Sequence, residues 1–261
     1  MSACPETVIE VKNLRVGYDG RLILKDVSFQ VRRGEVFVIL GGSGCGKSTL
    51  LKHLIGLHTP MAGEVWIEGD NLVEADGDDR LRILRKFGVM YQSGALFGSM
   101  TVIENVRLPL DEFTELPAEA KDLVALAKLQ QVGLAAAAHQ MPAELSGGMQ
   151  KRAAIARAMA LDPDILFLDE PGAGLDPVTS AGLDALIREL AGSFGITLVV
   201  VTHELPSIYA IADRVIMLDA RTKTIIAEGR PDQLRDHSSD AWVRQFFNRQ
   251  AGAPAESSPT N

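Results

Sequence analysis

The stretch from Gly41 to Leu51, GGSGCGKSTLL, restricts this chain more than any other. An apolar run, Glu35 to Leu40, leads into it, and Leu50, Leu51, Leu54 and Ile55 follow at helical spacing. Strand, glycine-rich loop and helix, in that order, is the context a phosphate-binding loop requires. Gly41, Gly44 and Gly46 let the backbone curl so that successive amides face one concavity, where anionic oxygens can sit; Gly42, Ser43 and Cys45 complete the loop. A helix beginning near Lys47 adds the positive end of its dipole at the same spot. Lys47 offers a point charge to the β- and γ-phosphates, Ser48 a hydroxyl for a magnesium ion, and Thr49 a further phosphate contact. The plain alternative is a glycine-rich turn with an incidental lysine, which the full Gly-x4-Gly-Lys-Ser pattern disfavours. The expected ligand is a nucleoside triphosphate.

The rest of the composition narrows the partners. The 34 acidic against 26 basic side chains in 261 residues argue against nucleic acid, and a chain of this size can bury a sizeable core. Its two cysteines are Cys4, near the N-terminus, and Cys45, inside the phosphate loop. A disulfide there would block the nucleotide site, which indicates a reducing cytoplasm; Cys45 reads as the occupant of a small, tolerant position. The start, MSACPETVIEV, has no basic segment followed by an apolar run, so no signal peptide is expected. No stretch approaches the length needed to cross a bilayer. Runs such as Ile196 to Val201 have the length and β-branching of buried parallel strands. Action at a membrane would depend on other chains.

Residues 7–40 alternate like a small antiparallel sheet, with Val27, Phe29 and Val31 on one face and Arg33-Gly34 turning into the Glu35–Leu40 strand. Within it, Tyr18 reads locally as an aromatic at a strand end, capping the sheet; the functional alternative is a platform for an adenine ring. Glu64 to Gly69 is a further strand and turn. Residues 70–86 suggest a short strand edge and a basic helix (Arg80, Arg82, Arg85, Lys86), a charge run that usually marks a solvated face. The strand Phe87 to Tyr91 delivers Gln92 at its C-terminal end, where ligand contacts of α/β sheets belong. Leu116, Ala120, Leu123, Leu126 and Ala127 mark a helix ending near Gly133. Then Ser146, a natural N-cap, precedes Gly147 and Gly148, which leave first-turn amides uncovered, a second anion site in the same chain. The helix that follows carries Ile155 and Met159 on one face and Lys151, Arg152 and Arg157 on others.

Ile165 to Leu168 is a buried strand ending in Asp169-Glu170. Two adjacent carboxylates there are costly unless paired with cations or metal, and successive strand side chains point opposite ways. Asp169 suits a hydrated magnesium ion and Glu170 suits deprotonating a water. Gly174-Leu175-Asp176-Pro177 starts a helix with Pro177 at its first position and an apolar stripe of Leu183, Leu186, Ile187 and Leu190. His203 follows the strand Ile196 to Val201. A lone histidine is most often structural; its place among strand-end residues makes it a candidate γ-phosphate contact. Arg214 to Leu218 and Thr224 to Ala227 suggest a closing hairpin, and residues 230–249 an amphipathic segment with Trp242, Phe246 and Phe247. There is neither an internal repeat nor a tandem second cassette.

Taken in order, Tyr18, GGSGCGKST, Gln92, LSGGM, ILFLDE, GLD and His203 resemble the ATP-binding cassette (ABC) ATPases over roughly Val8 to Gly229. A phosphate loop is shared by many NTPases, whereas LSGGM between it and the acidic pair is specific to this family. The resemblance implies an α/β P-loop NTPase with a mixed β-sheet core, an antiparallel β-subdomain and an inserted helical subdomain. Its boundaries would be 7–230 for the ATPase domain, about 93–161 for the insertion, 231–250 for a C-terminal helical extension and 251–261 for a tail of disordered composition. It also implies that Tyr18 stacks the adenine, Gln92 reaches magnesium and the attacking water, and Ser146, Gly147 and Gly148 form the signature. Asp176 would lie in the loop linking two sites, and His203 would be the switch histidine. Family signatures close over ATP bound to a second copy, so each anion site would be half of a composite. The cofactor set is ATP and Mg2+, with Ser48, Gln92 and Asp169 toward the metal and Glu170, His203 and Lys47 as catalytic groups.

A finer similarity is to the ATPases of Mla-type (toluene-tolerance or Mce-type) phospholipid transporters, carried by YQSGALF, MTVIENV and the ending VRQFF. It implies a place at the cytoplasmic face of a bacterial inner membrane, peripheral through permease subunits. A small cytoplasmic accessory subunit and a periplasmic lipid-binding subunit would complete the partners. Two departures, GGSG for the usual GPSG and EPGAGLD for the typical EPFTGLD, remove no chemical group. Rival readings are the ATPase of an importer for amino acids or other small solutes, separable by what co-purifies, and a permease-free ABC protein. The latter usually carries two cassettes or long coiled-coil insertions. LSGGM has no use in a simple phosphotransferase.

Overall fold

The computed structural model describes residues 6–18 and 20–249. Cys4 and the tail expected over 251–261 lie outside the described residues. The chain begins with strands β1 (Thr7–Tyr18), β2 (Arg21–Arg32) and β3 (Val36–Gly41), helix α1 (Lys47–Leu54), strands β4 (Ala62–Ile67) and β5 (Asp70–Asn71), helix α2 (Gly77–Leu84) and strand β6 (Phe87–Met90). Helices α3 (Val102–Phe113), α4 (Ala118–Gln131) and α5 (Gly147–Ala158) come next, with two short 3-10 turns between the last two. The remainder is β7 (Ile165–Asp169), α6 (Pro177–Phe194), β8 (Thr197–Val201), α7 (Leu205–Ile211), β9 (Arg214–Asp219), β10 (Thr224–Gly229), α8 (Pro231–His237) and α9 (Ala241–Phe247).

Two sheets divide the strands. One has the order β2-β1-β4-β5 and its pairings are antiparallel; the other has the order β10-β9-β3-β8-β7-β6, parallel except for the β9–β10 hairpin. Every residue of β3 and of β8 is buried, the pattern of strands covered on both faces. Their alternation separates two cores. Val36, Val38, Leu40, Leu166, Leu168, Leu198 and Val200 face the helices α3 to α6. Phe37, Ile39, Ile165, Phe167, Val199 and Val201 face α1 and the antiparallel sheet. The strand at 35–40, grouped with the antiparallel run on its alternation, therefore belongs to the other sheet. The chain changes sheets at Arg33-Gly34, where Gly34 has φ +75° and its amide donates to Thr197 Oγ1 at 2.9 Å.

Two faces also differ from the sequence reading. The α4 helix forms, but Leu123 and Leu126 are 68% and 39% exposed while Ala125, Lys128 and Leu129 are buried. With apolar residues on both sides, periodicity could not select the packed face. On α5, Lys151 is not on an outer face: it is 7% exposed. The basic run over 80–86 is only partly a solvated surface. The Arg80 guanidinium donates to the carbonyls of Leu72 and Gly56, whereas Arg82 and Lys86 converge on Asp70. The segment after the hairpin is two short helices, with Val243 and Phe247 buried and Trp242 and Phe246 packed against the helical core.

Candidate nucleotide site

The phosphate loop joins β3, in the middle of the parallel sheet, to α1. Gly41 has φ +152°, and a Cβ there would stand 2.5 Å from the Leu218 carbonyl oxygen and 2.6 Å from Cys45 Sγ. Gly46, the N-cap of α1, has φ +102°, and a Cβ would meet Ile23 Cγ2 at 2.9 Å. These two positions admit no side chain. A Cβ on Gly42 meets nothing within 4 Å. Cys45 is buried and burial pushes its thiol up, which makes it a poor nucleophile. Lys47 is 9% exposed and its ammonium donates to the carbonyls of Gly41 and Gly42 at 2.9 and 3.3 Å. The cation is folded over its own loop, at the place where phosphate oxygens would compete for it. Ser48 is exposed and Thr49 half-buried.

Across the sheet, β7 ends in the acidic pair. Asp169 Oδ1 and Glu170 Oε2 are buried without a partner. Burial, then the neighbouring Glu170 charge, push the Asp169 carboxyl up, and Lys52, Lys47 and Lys151 oppose this. Glu170 has φ +46° and donates its amide to the Val201 carbonyl at 2.8 Å. Its Oε1 lies 2.9 Å from His203 Nδ1. An ionised carboxylate only accepts, so Nδ1 donates and a neutral ring keeps Nε2 as a bare acceptor. The site thus holds two orphaned carboxylate oxygens beside a phosphate loop, with the Ser48 hydroxyl on the same loop. Oxygen donors of this kind fit Mg2+, which takes one or two protein ligands and completes its shell with water and phosphate.

Ser146 is the N-cap of α5, and its hydroxyl accepts from the Met149 amide at 3.3 Å. Among the described residues no side chain accepts from the Gly147 or Gly148 amides. A Cβ on Gly148 would stand 2.3 Å from Thr179 Cγ2, and one on Gly147 3.4 Å from Leu175 Cδ2. The signature therefore packs on the start of α6, while the phosphate loop packs on β2 and β9. Asp176 caps α6, accepting from Val178 and Thr179 amides at 3.0 and 3.1 Å, and Val178 beside it is 83% exposed. Gln92 is exposed, two residues beyond β6.

Tyr18 ends β1 with its ring edge-on to His58 at 5.1 Å and 6.3 Å from His53. His53 Nδ1 bonds the Thr49 carbonyl at 2.8 Å and Nε2 is buried without a partner; burial lowers the ring's basicity. Sequence reasoning passed over both histidines. The place of His53 one helical turn after Thr49 was the available signal. It also passed over Lys52, whose charge acts on Asp169 only through the fold, and read Lys151 as an outer cation.

Comparison with known proteins agrees with this geometry. Residues 24–173 match the ABC transporter family. The chain is 38% identical over 249 residues, covering 95% of it and 93% of the relative, to the intermembrane phospholipid transport system ATP-binding protein MlaF of Haemophilus influenzae. It is 42% identical over 241 residues, 92% of it and 68% of the relative, to the probable ribonucleotide transport ATP-binding protein mkl of Mycobacterium leprae. Its fold is similar to the dimeric post-hydrolysis state of the ATP-binding cassette MJ0796 bound to ADP and Pi, with TM-score 0.77, 33% identity and coverage of 85% of this chain and 98% of that one. Phosphate loop, acidic strand end and signature in one frame, with these relatives, place the chain in the ABC transporter family, as an ATP-binding cassette.

Proposed function

We propose that this chain is the ATP-hydrolysing subunit of a phospholipid ABC transporter and works as a head-to-tail pair around two ATP molecules. In each site the loop amides and Lys47 of one copy take the β- and γ-phosphates, Lys47 exchanging the Gly41 and Gly42 carbonyls for phosphate oxygens. The partner copy lends Ser146, Gly147 and Gly148 from the other side. Tyr18 stacks the adenine. Glu170 Oε2, which has no partner, accepts the proton of the attacking water, while Oε1 is held by His203. A His203 imidazolium would keep that bond and donate through Nε2 to the γ-phosphate. Ser48, Asp169 and Gln92 would hold Mg2+, which supplies positive charge to the phosphate oxygens.

The observation that carries the chemistry is the pair of orphaned oxygens on Asp169 and Glu170, at the same C-terminal end of the parallel strands as the phosphate loop and its lysine. Glu170→Gln is expected to leave ATP binding intact and to slow turnover about 10²–10⁴-fold; near wild-type steady-state hydrolysis would remove the general base. Among the described residues no helix is long and apolar enough to cross a membrane. Attachment to the cytoplasmic face of an inner membrane would run through permease subunits, with a small accessory subunit and a periplasmic lipid-binding subunit completing the assembly. The 38% identity to MlaF, over an alignment covering 95% of the chain, supports phospholipid as the cargo. The mycobacterial relative, named for ribonucleotide transport, favours a small-solute reading. Phospholipid recovered with the detergent-purified assembly supports the first, and a solute-binding protein supports the second.

A further inference from the structure

We infer that Lys151 is a positioning residue that locks the Gln92 turn of one nucleotide site to the Ser146 helix start serving the other, so that both sites of a pair respond to ATP together. This rests on the two-copy site proposed above. Lys151 lies in the first turns of α5, the helix that Ser146 caps, and is 7% exposed. Its ammonium donates to the main-chain carbonyl of Gln92. Two turns on, the Arg157 guanidinium donates to the carbonyls of Gly94 at 2.9 Å and Ala95 at 2.7 Å. Three carbonyls of one four-residue turn are thus held by cations from a single helix. Gly94, at φ +73°, sits on the same surface, where an added Cβ would lie 3.6 Å from Ala154 Cβ. Any rotation of α5 that moves Ser146 must carry the Gln92 backbone with it.

The contact is specific to a long cationic side chain: Lys151 is buried and reaches the Gln92 carbonyl from the second turn of α5. In a head-to-tail pair Gln92 and Glu170 act on one ATP and Ser146 on the other, so the α5 cation joins groups that share no nucleotide.

The test is ATP hydrolysis by the full-length chain, alone and in its co-purified membrane assembly, with ATP-driven pairing measured alongside. Lys151→Met is expected to pair normally, to hydrolyse about tenfold more slowly and to turn a sigmoidal ATP dependence hyperbolic. Lys151→Arg, which reaches the same carbonyl with the same charge, should recover both. Lys128, on α4, serves as control, being equally buried and ion-paired with Asp162; Lys128→Met should leave the sigmoidal shape intact. Wild-type rate and shape in Lys151→Met, a hyperbolic wild type, or the same change in Lys128→Met would overturn the assignment. If Lys151→Met does not fold, Lys151→Ala, which removes the donor with a smaller side chain, is read by the same outcomes. Failure of the wild-type chain to pair in ATP would instead count against the composite site.

Discussion

Two helix starts in this chain are built to meet phosphate, and they are built differently. At α1 the N-cap is a glycine with no side-chain cap, the preceding loop is held open by backbone angles a side chain could not share, and a buried lysine lies across the concavity. That end is a complete cradle. At α5 the cap is Ser146, whose hydroxyl oxygen accepts from the Met149 amide of its own helix and keeps its O–H to donate, and the first turn carries no charge. Bare amides with a half-charge of dipole form a weak anion site on their own. On the proposed two-copy reading, the difference teaches that the first end would recruit the nucleotide and the second would only recognise one already held.

The comparison can be broken most easily at the strong end. Lys47→Met should weaken hydrolysis by about 10²–10³-fold and remove ATP binding by the single chain, read by fluorescent-nucleotide titration; retained binding would make the cradle less complete than described. At the weak end, Ser146→Ala should leave single-chain binding unchanged and slow the pair about tenfold, the worth of one hydrogen bond to a charged oxygen. Weaker binding by the isolated chain would erase the distinction. Packing supplies a smaller effect: Gly148→Ala, forced against Thr179, should lower stability by about 1–3 kcal/mol in denaturant unfolding, whereas Gly147→Ala fits. Smallest of all, Gly42→Ala should change the unfolding midpoint by less than about 0.5 kcal/mol, because nothing lies within 4 Å of its Cβ.

What the sequence disclosed divides along the same line. The phosphate loop, the buried strands around it, the N-cap at Ser146 and the helix start at Pro177 are local patterns, set by residues within a turn of one another, and they appear in the structure as read. Features fixed by contacts far apart in the chain were not visible. Alternation in residues 7–40 is the same whether a strand lies in one sheet or another, so the transfer of β3 to the parallel sheet could not be seen. Leu123 and Leu126 are as apolar as Leu129, and only the position of α3 and α5 decides which of them is covered. Lys151 read as one more outer cation because its partner, the Gln92 carbonyl, is 59 residues away. The orphaned oxygens of Asp169 and Glu170 were foreseeable as a costly pair, but the His203 bond that occupies one Glu170 oxygen was not.

The claim that each hydrolytic centre is shared between copies is tested most directly by trapping ATP in mixed pairs, in a Glu170→Gln background. One chain carries Lys47→Met and the other Ser146→Arg. In a head-to-tail pair one site then keeps both an intact loop and an intact signature, although neither chain is whole. The account predicts that the mixture traps one ATP per mixed pair, while neither variant alone, nor a chain carrying both changes paired with an unaltered copy, traps any. No trapped nucleotide in the mixture would contradict it and return the whole site to a single chain.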